Sequence, residues 1–313
     1  MLTSIIWLSI VFALAALVLI VVALRQMSDM LLHPPRMTEG KALRVLQRTG
    51  PADVGIAEFE PLTFTVPAGE GSCEKRRELQ IAAWWMPHPT PSTRTCILVH
   101  GYADSKIGAL AWAPTWRDLG FNLLAIDLRA HGDSQGTTST GGFFEAQDLE
   151  RVIDLMKDAK PQAASSVALF GVSLGGATVL ACAAQRDDVS AVVCDSVYAH
   201  YRRAAQNHAR LIAAPLRSMQ YLAIRHAERT AGADFDAVAP IHTLPRIRCP
   251  VMLIHGGNDP FVPKDDVTAL DVALTARGNP RDVHWIESEA FHVLALHRDA
   301  EAYRERIRSF VNS

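Results

Sequence analysis

The sequence has no charged residue between Leu2 and Leu24, no close pair of cysteines and no concentrated basic stripe. Each absence excludes something. A net charge of only −2 over 313 residues leaves no electrostatic footprint for nucleic acid, and bulk charge says nothing about the substrate. The five cysteines (Cys73, Cys96, Cys182, Cys194, Cys249) are an odd number without CxxC or Cys/His spacing, which argues against a zinc site and a disulfide framework. Cys96, Cys194 and Cys249 fall in or beside apolar runs, as buried, reduced thiols do. Also missing are an internal repeat and a low-complexity tract, so a stacked array is excluded.

What is present begins with the uncharged N-terminus, where from Ile5 onward only Ser9 is polar. As a helix, residues 2–24 reach about 35 Å, enough to cross a hydrocarbon core of about 30 Å. MLTS carries no Lys or Arg and LIVVALRQM is a poor cleavage site, so an uncleaved single-pass anchor is expected rather than a signal peptide. Arg25, Arg36, Lys41, Arg44 and Arg48 follow the span, and the positive-inside rule then puts the rest of the chain in the cytoplasm. Residues 25–57, with HPP, Gly40 and Gly50-Pro51, read as a connector with one helix at 38–48.

From residue 58 to 313 strand and helix signals alternate. FEPLTFTV (59–66) and LQIAAWWMP (79–87) read as two strands joined by a glycine- and charge-rich turn. TCILVHG (95–101), FNLLAID (121–127), VALFG (167–171), VSAVVCD (189–195), VMLIHG (251–256) and DVHWIE (282–287) are short apolar runs of the buried-strand kind. Helical spacing marks 107–120, 142–159, 174–186, 264–277 and 298–311. The expected fold class is therefore α/β, a mostly parallel doubly wound sheet covered on both faces. Residues 198–240, rich in His, Arg and Ala and without a convincing strand, read as an inserted helical cap.

In an open parallel sheet, ligands sit beyond the carboxyl ends of the strands. Three such ends carry a hydroxyl, a carboxylate and an imidazole: Ser173 in GVSLGG, Asp259 in GNDPFVP, and His292 in SEAFHVL. A serine hydroxyl needs a neighbouring base to act as a nucleophile, histidine titrates near neutrality, and a carboxylate fixes the ring and offsets its charge. Gly171 and Gly175 suit a sharp strand-to-helix turn, where side chains would collide. The backbone N–H groups of Leu174 and Tyr102 are the candidate oxyanion donors. Asp195 is a rival acid and His297 a rival base; Asp259 and His292 are preferred from their loops. His100 and His255 are expected to be buried and bonded to loop backbone, His131 to order its own loop, and His200, His208 and His226 to be solvated. Trp84, Trp85, Trp112 and Trp116 read as core or pocket wall.

Taken together, LVHGY, DLRAHGDS (127–134), GVSLGG, LIHGGNDPFVP and the late His292 resemble the α/β-hydrolase fold over about residues 58–311. They are closest to its membrane-anchored esterase- and peptidase-like branch with a small helical cap. The one departure is EAFHVL, which lacks a glycine before its histidine. The resemblance implies Ser173 as nucleophile, Asp259 as acid, His292 as base, the Tyr102 and Leu174 amides as oxyanion hole, and no metal or cofactor. The function expected is a serine hydrolase acting on a small-molecule or lipid-like carboxylic ester through an acyl-enzyme. A peptidase, amidase or thioesterase of the same fold, or a catalytically silent binding protein, remain alternatives.

Overall fold

The computed structural model describes residues 2–211 and 217–313. The chain opens with α1 (Leu2–Leu32) and α2 (Glu39–Leu46), the latter capped by Thr38, whose hydroxyl accepts the Lys41 N–H. Strands β1 (Glu60–Pro67), β2 (Glu78–Met86) and β3 (Arg94–Val99) follow. The helical segment expected at 107–120 is split into α3 (Lys106–Ala109), a 3₁₀ turn and α4 (Ala113–Asp118); Pro114 lies in the first turn of α4, where its missing N–H does no harm. Then come β4 (Asn122–Ile126), α5 (Phe143–Ala159), β5 (Ser166–Val172), α6 (Leu174–Ala183) and β6 (Val189–Asp195).

The expected cap contains α7 (Tyr201–Leu211) and α8 (Arg217–Ala231), and the short α9 (Pro240–Thr243) begins at its last residue; residues 212–216 lie outside the described residues. The chain closes with β7 (Val251–Gly256), α10 (Lys264–Ala276), β8 (Val283–Glu287), α11 (Ala295–Arg298) and α12 (Ala300–Asn312).

The eight strands form one sheet in the order β1-β2-β4-β3-β5-β6-β7-β8. The β1–β2 and β2–β4 pairs are antiparallel and all the others parallel, as expected. β5 lies inside the sheet between β3 and β6, so SVALFGV is buried through nearly its whole length. Helix α6 is buried on every side, which accounts for the absence of any charge in LGGATVLACA. On one face of the sheet Trp112 and Trp116 pack on Phe170 with ring centroids 5.4 and 5.9 Å apart, so these two tryptophans are core.

Helix α1 differs from expectation. It does not stop at Leu24 but runs unbroken to Leu32, into what the sequence presents as a connector. From Ser4 to Val22 every residue is exposed. From there partial or full burial recurs at Ala23, Leu24, Met27, Ser28, Leu31 and Leu32, the stripe of a helix packed along one face, and the face is set against α8. Overall hydropathy hides this division, because Arg25 and Asp29 lie on the exposed side of the packed turns.

The loop after β4 is held from beneath by a fully buried ion pair. Arg129 Nε and Nη2 each donate to Asp148 of α5 at 2.6 Å, and Nη1 donates to the Ala68 carbonyl at 2.9 Å. Arg129→Ala would strand a buried carboxylate and is expected to cost about 3–5 kcal/mol of stability, measured by chemical denaturation in detergent; a loss under about 1 kcal/mol would contradict this account.

Candidate active site

Ser173 occupies the single residue between β5 and α6 and has φ 52° and ψ −114°, a backbone conformation that costs a non-glycine residue about 1–3 kcal/mol. The flanking glycines make the turn possible. A Cβ on Gly171 would lie 2.3 Å from the Gly175 carbonyl oxygen, and one on Gly175 would lie 2.4 Å from those of Val99 and His100. Leu174 opens α6, so its N–H has no helical acceptor before it and points out of the helix N-terminus.

The loop after β3 lies against this turn: a Cβ on Gly101 would be 3.5 Å from Ser173 Cβ. The Tyr102 N–H has no acceptor among the described residues. Two free amide donors therefore flank the Ser173 side chain. The Tyr102 phenol, whose pKa burial pushes up to about 12, donates to the Met30 carbonyl of α1.

At the far edge, His292 Nδ1 is 2.7 Å from Asp259 Oδ2, and the Asp259 side chain is buried. A carboxylate only accepts, so Nδ1 is the donor in this bond, and Nε2 has no hydrogen-bond partner among the described residues. The other carboxylate oxygen accepts the N–H groups of Phe261 (2.8 Å) and Val262 (3.0 Å), which fixes the side chain. The Ser173 hydroxyl makes no hydrogen bond among the described residues, so the structure pairs Asp259 with His292 but does not join Ser173 to the ring. Such bonds are often long before substrate binds.

The two halves are tied by Asp195, read from the sequence as a rival acid, and by its neighbour Ser196. The Ser173 N–H donates to the Asp195 carbonyl at 2.9 Å, and Ser196 Oγ accepts the Val293 N–H at 2.9 Å while donating to Asp195 Oδ1 at 2.9 Å. Tyr303 of α12 donates to the other Asp195 oxygen at 2.9 Å. Asp195 thus braces the loops of both Ser173 and His292 from behind. Its position at a strand end was a signal; the contribution of Tyr303 carried none.

The remaining histidines separate clearly. His100 has both ring nitrogens engaged, Nδ1 by the Gly101 carbonyl (2.7 Å) and Nε2 by the Leu128 N–H (3.0 Å), and burial pulls its pKa well down. His255 bonds the Val197 carbonyl (2.7 Å) as expected, but also His284 (3.0 Å), and burial lowers its pKa to about 4. His131 bonds the Arg129 carbonyl of its own loop at 2.8 Å. His297 sits exposed in α11. One cap histidine departs from the solvated expectation: His200 is half-buried beside His242, whereas His208 and His226 are exposed, the His208 ring stacking on Phe261 at 5.3 Å. Phe261 in turn contacts His292, with ring centroids 5.1 Å apart.

Residues 90–239 match the family described as serine aminopeptidase, S33. The fold is that of a Pyrococcus furiosus esterase, Pf2001, with a TM-score of 0.71, 21% identity, and 90% of this chain and 97% of that one covered. The chain therefore has the α/β-hydrolase fold, shared also with an α/β hydrolase from Penicillium, GrgF, at a TM-score of 0.59 and 18% identity, with 81% of this chain and 98% of that one covered. A Pyrococcus horikoshii acylaminoacyl peptidase is a more distant structural match, with a TM-score of 0.57, 15% identity, and 83% of this chain and 42% of that one covered. In sequence, Bacillus subtilis YqkD is 26% identical over 97% of each chain, a likeness that includes the N-terminal region.

Within this fold, burial raises the Asp195 carboxyl to about 6, despite the Ser196 and Tyr303 hydrogen bonds that lower it. An ordinary unfolded carboxylate ionises near pH 3.9, so the folded chain holds this proton more tightly and its stability falls as pH rises from about 4 to about 6. Asp195→Asn is expected to remove that slope. The variant should gain on the wild type by up to about 1.4 kcal/mol per pH unit across this window, read from denaturation curves; a constant difference would contradict the raised pKa.

Proposed function

We propose that the protein is a membrane-anchored serine hydrolase that cleaves carboxylic esters. Ser173 Oγ attacks the carbonyl carbon while His292 Nε2 takes the hydroxyl proton. The Tyr102 and Leu174 N–H groups hold the oxyanion. Collapse expels the alcohol, protonated by His292, and a water deprotonated by the same ring then releases the acid. The observation that carries this reading is the Asp259–His292 bond of 2.7 Å, tied through the Asp195–Ser196 pair to a serine held at φ 52°.

A peptidase is the second reading, favoured by the S33 match. An aminopeptidase must bind a free ammonium group, yet the carboxylates of the cap are already engaged. Glu228 pairs with Arg202 and Arg225, Asp236 with Arg202, and the Asp234 side chain accepts backbone N–H groups. That supports the ester reading.

A fluorophosphonate probe should label the full-length protein, and Ser173→Ala should abolish labelling. His292→Ala should lower p-nitrophenyl acetate turnover about 10⁴-fold or more, while His297→Ala stays near wild type. Labelling that survives Ser173→Ala would remove the proposal, and faster turnover of peptide than ester substrates in a panel would select the second reading.

The anchor is supported by the continuous exposure of Ser4–Val22, and by a mean hydropathy of 3.1 over an 18-residue stretch of that helix. Carbonate extraction should leave the full-length protein in the membrane pellet. Its release to the supernatant, or an N-terminus beginning after residue 24 in the purified protein, would rule out a retained span.

A further inference from the structure

We infer that the substrate esters reside in the bilayer, and that the docked turns of α1 hold the catalytic mouth at the level of the lipid headgroups. This rests on the serine-hydrolase reading and on α1 crossing the membrane. A tether that merely keeps an enzyme near a membrane needs slack, and this chain has none. α1 passes from all-round exposure to one-sided packing at Ala23 without a break, and its next turns lie against α8.

The segment after α1 is then fastened to the loop following β4. The Leu32 carbonyl accepts the Ser139 N–H at 2.7 Å, and His33 bonds the Thr137 carbonyl at 2.7 Å. The Arg36 guanidinium donates to the carbonyls of His131, Gly132, Ser134 and Gly136 at 2.7–3.1 Å. A guanidinium spent on four loop carbonyls fixes orientation rather than attracting lipid.

The consequence reaches the site through Tyr102. Its backbone N–H is a proposed oxyanion donor, and its phenol is bonded to Met30 of α1. Arg25, the first charge after the apolar run, marks where the helix leaves hydrocarbon, and Met30 lies about 8 Å further along the axis. The headgroup layer on one side of a bilayer is about 5–8 Å thick. An ester carbonyl at the boundary between acyl chains and headgroups therefore needs to rise by little more than that layer. The helix that packs against α1 also exposes apolar surface, Tyr221 at 49% and Leu222 at 52%. A water-borne substrate would gain nothing from this mooring.

The test inserts eight Gly/Ser residues between Val22 and Ala23, preserving both the span and the packed turns. Wild type and variant are reconstituted full-length in phosphatidylcholine nanodiscs. Each is given a p-nitrophenyl ester with a palmitoyl chain in the bilayer and p-nitrophenyl acetate in solution. Expected is a tenfold or larger fall in bilayer-ester turnover with acetate turnover within twofold of wild type. Equal bilayer turnover would overturn the inference and leave α1 as a tether or as a contact for another membrane helix, with the hydrolase reading intact. Absence of acetate turnover in the wild type would remove that reading and this inference with it. Because the insertion could disturb folding, energy transfer from a fluorophosphonate dye on wild-type Ser173 to headgroup acceptors gives an independent readout. A separation below about 20 Å is expected, and one beyond about 40 Å would overturn the placement.

Discussion

The site depends on how closely α6 can approach the end of β3. At Gly175 the backbone comes so near the Val99 and His100 carbonyls that even a methyl group would overlap them, and Gly171 meets Gly175 as closely. Because α6 seats there, β5 must reverse within one residue, and Ser173 takes up a conformation that side chains avoid. The same approach sets the Gly101 loop against Ser173 and buries His100 under it. A charged imidazole in that position would be costly, and the ring is held neutral with a carbonyl on one nitrogen and an amide on the other.

Strain of this kind persists only where surrounding bonds over-determine it. Three of the non-glycine residues with positive φ, Ser173, Ser196 and Val293, belong to loops that meet at the site. Each has its N–H fixed by a neighbouring strand or loop: Ser173 by the Asp195 carbonyl, Ser196 by the Ile254 carbonyl at 2.8 Å, and Val293 by Ser196 Oγ. The bonds run from one strained residue toward the next, so β6 supplies the frame in which the turn after β5 and the loop after β8 keep their mutual position. In EAFHVL the left-handed residue is Val293, directly after the histidine, and Ser196 holds it there.

The positions of the strands, the doubly wound class and the sharp turn at Ser173 were legible because they follow from local periodicity and from glycines at fixed spacing, whereas the order of the strands in the sheet was not. Asp259 and His292 were legible because strand ends in a parallel sheet share one edge. What was not legible depends on contacts distant in sequence. Nothing near residue 303 indicates that Tyr303 reaches Asp195, and the packing of His208 on Phe261 arises only once α7 folds over the loop after β7. Asp195 shows the limit most clearly. As a carboxylate at a strand end it competes with Asp259 on pattern alone, and only the hydroxyls of Ser196 and Tyr303 reveal that its oxygens are occupied.

The start of the packed unit was the largest difference, and its reason is physical. A hydropathy window sums over all faces of a helix, so it places the end of the apolar segment at Arg25, the first charge. Packing acts on one face. On that face the stripe from Ala23 to Leu32 continues past the charges, which point away from α8. The unit that folds around the site therefore begins near Ala23, well before the first strand at Glu60. Those turns cover Tyr102 and, through Leu32 and Arg36, hold the loop that follows β4. A segment that reads as a linker by composition is thus part of the wall of the site, and a membrane attached to its other end is attached to that wall.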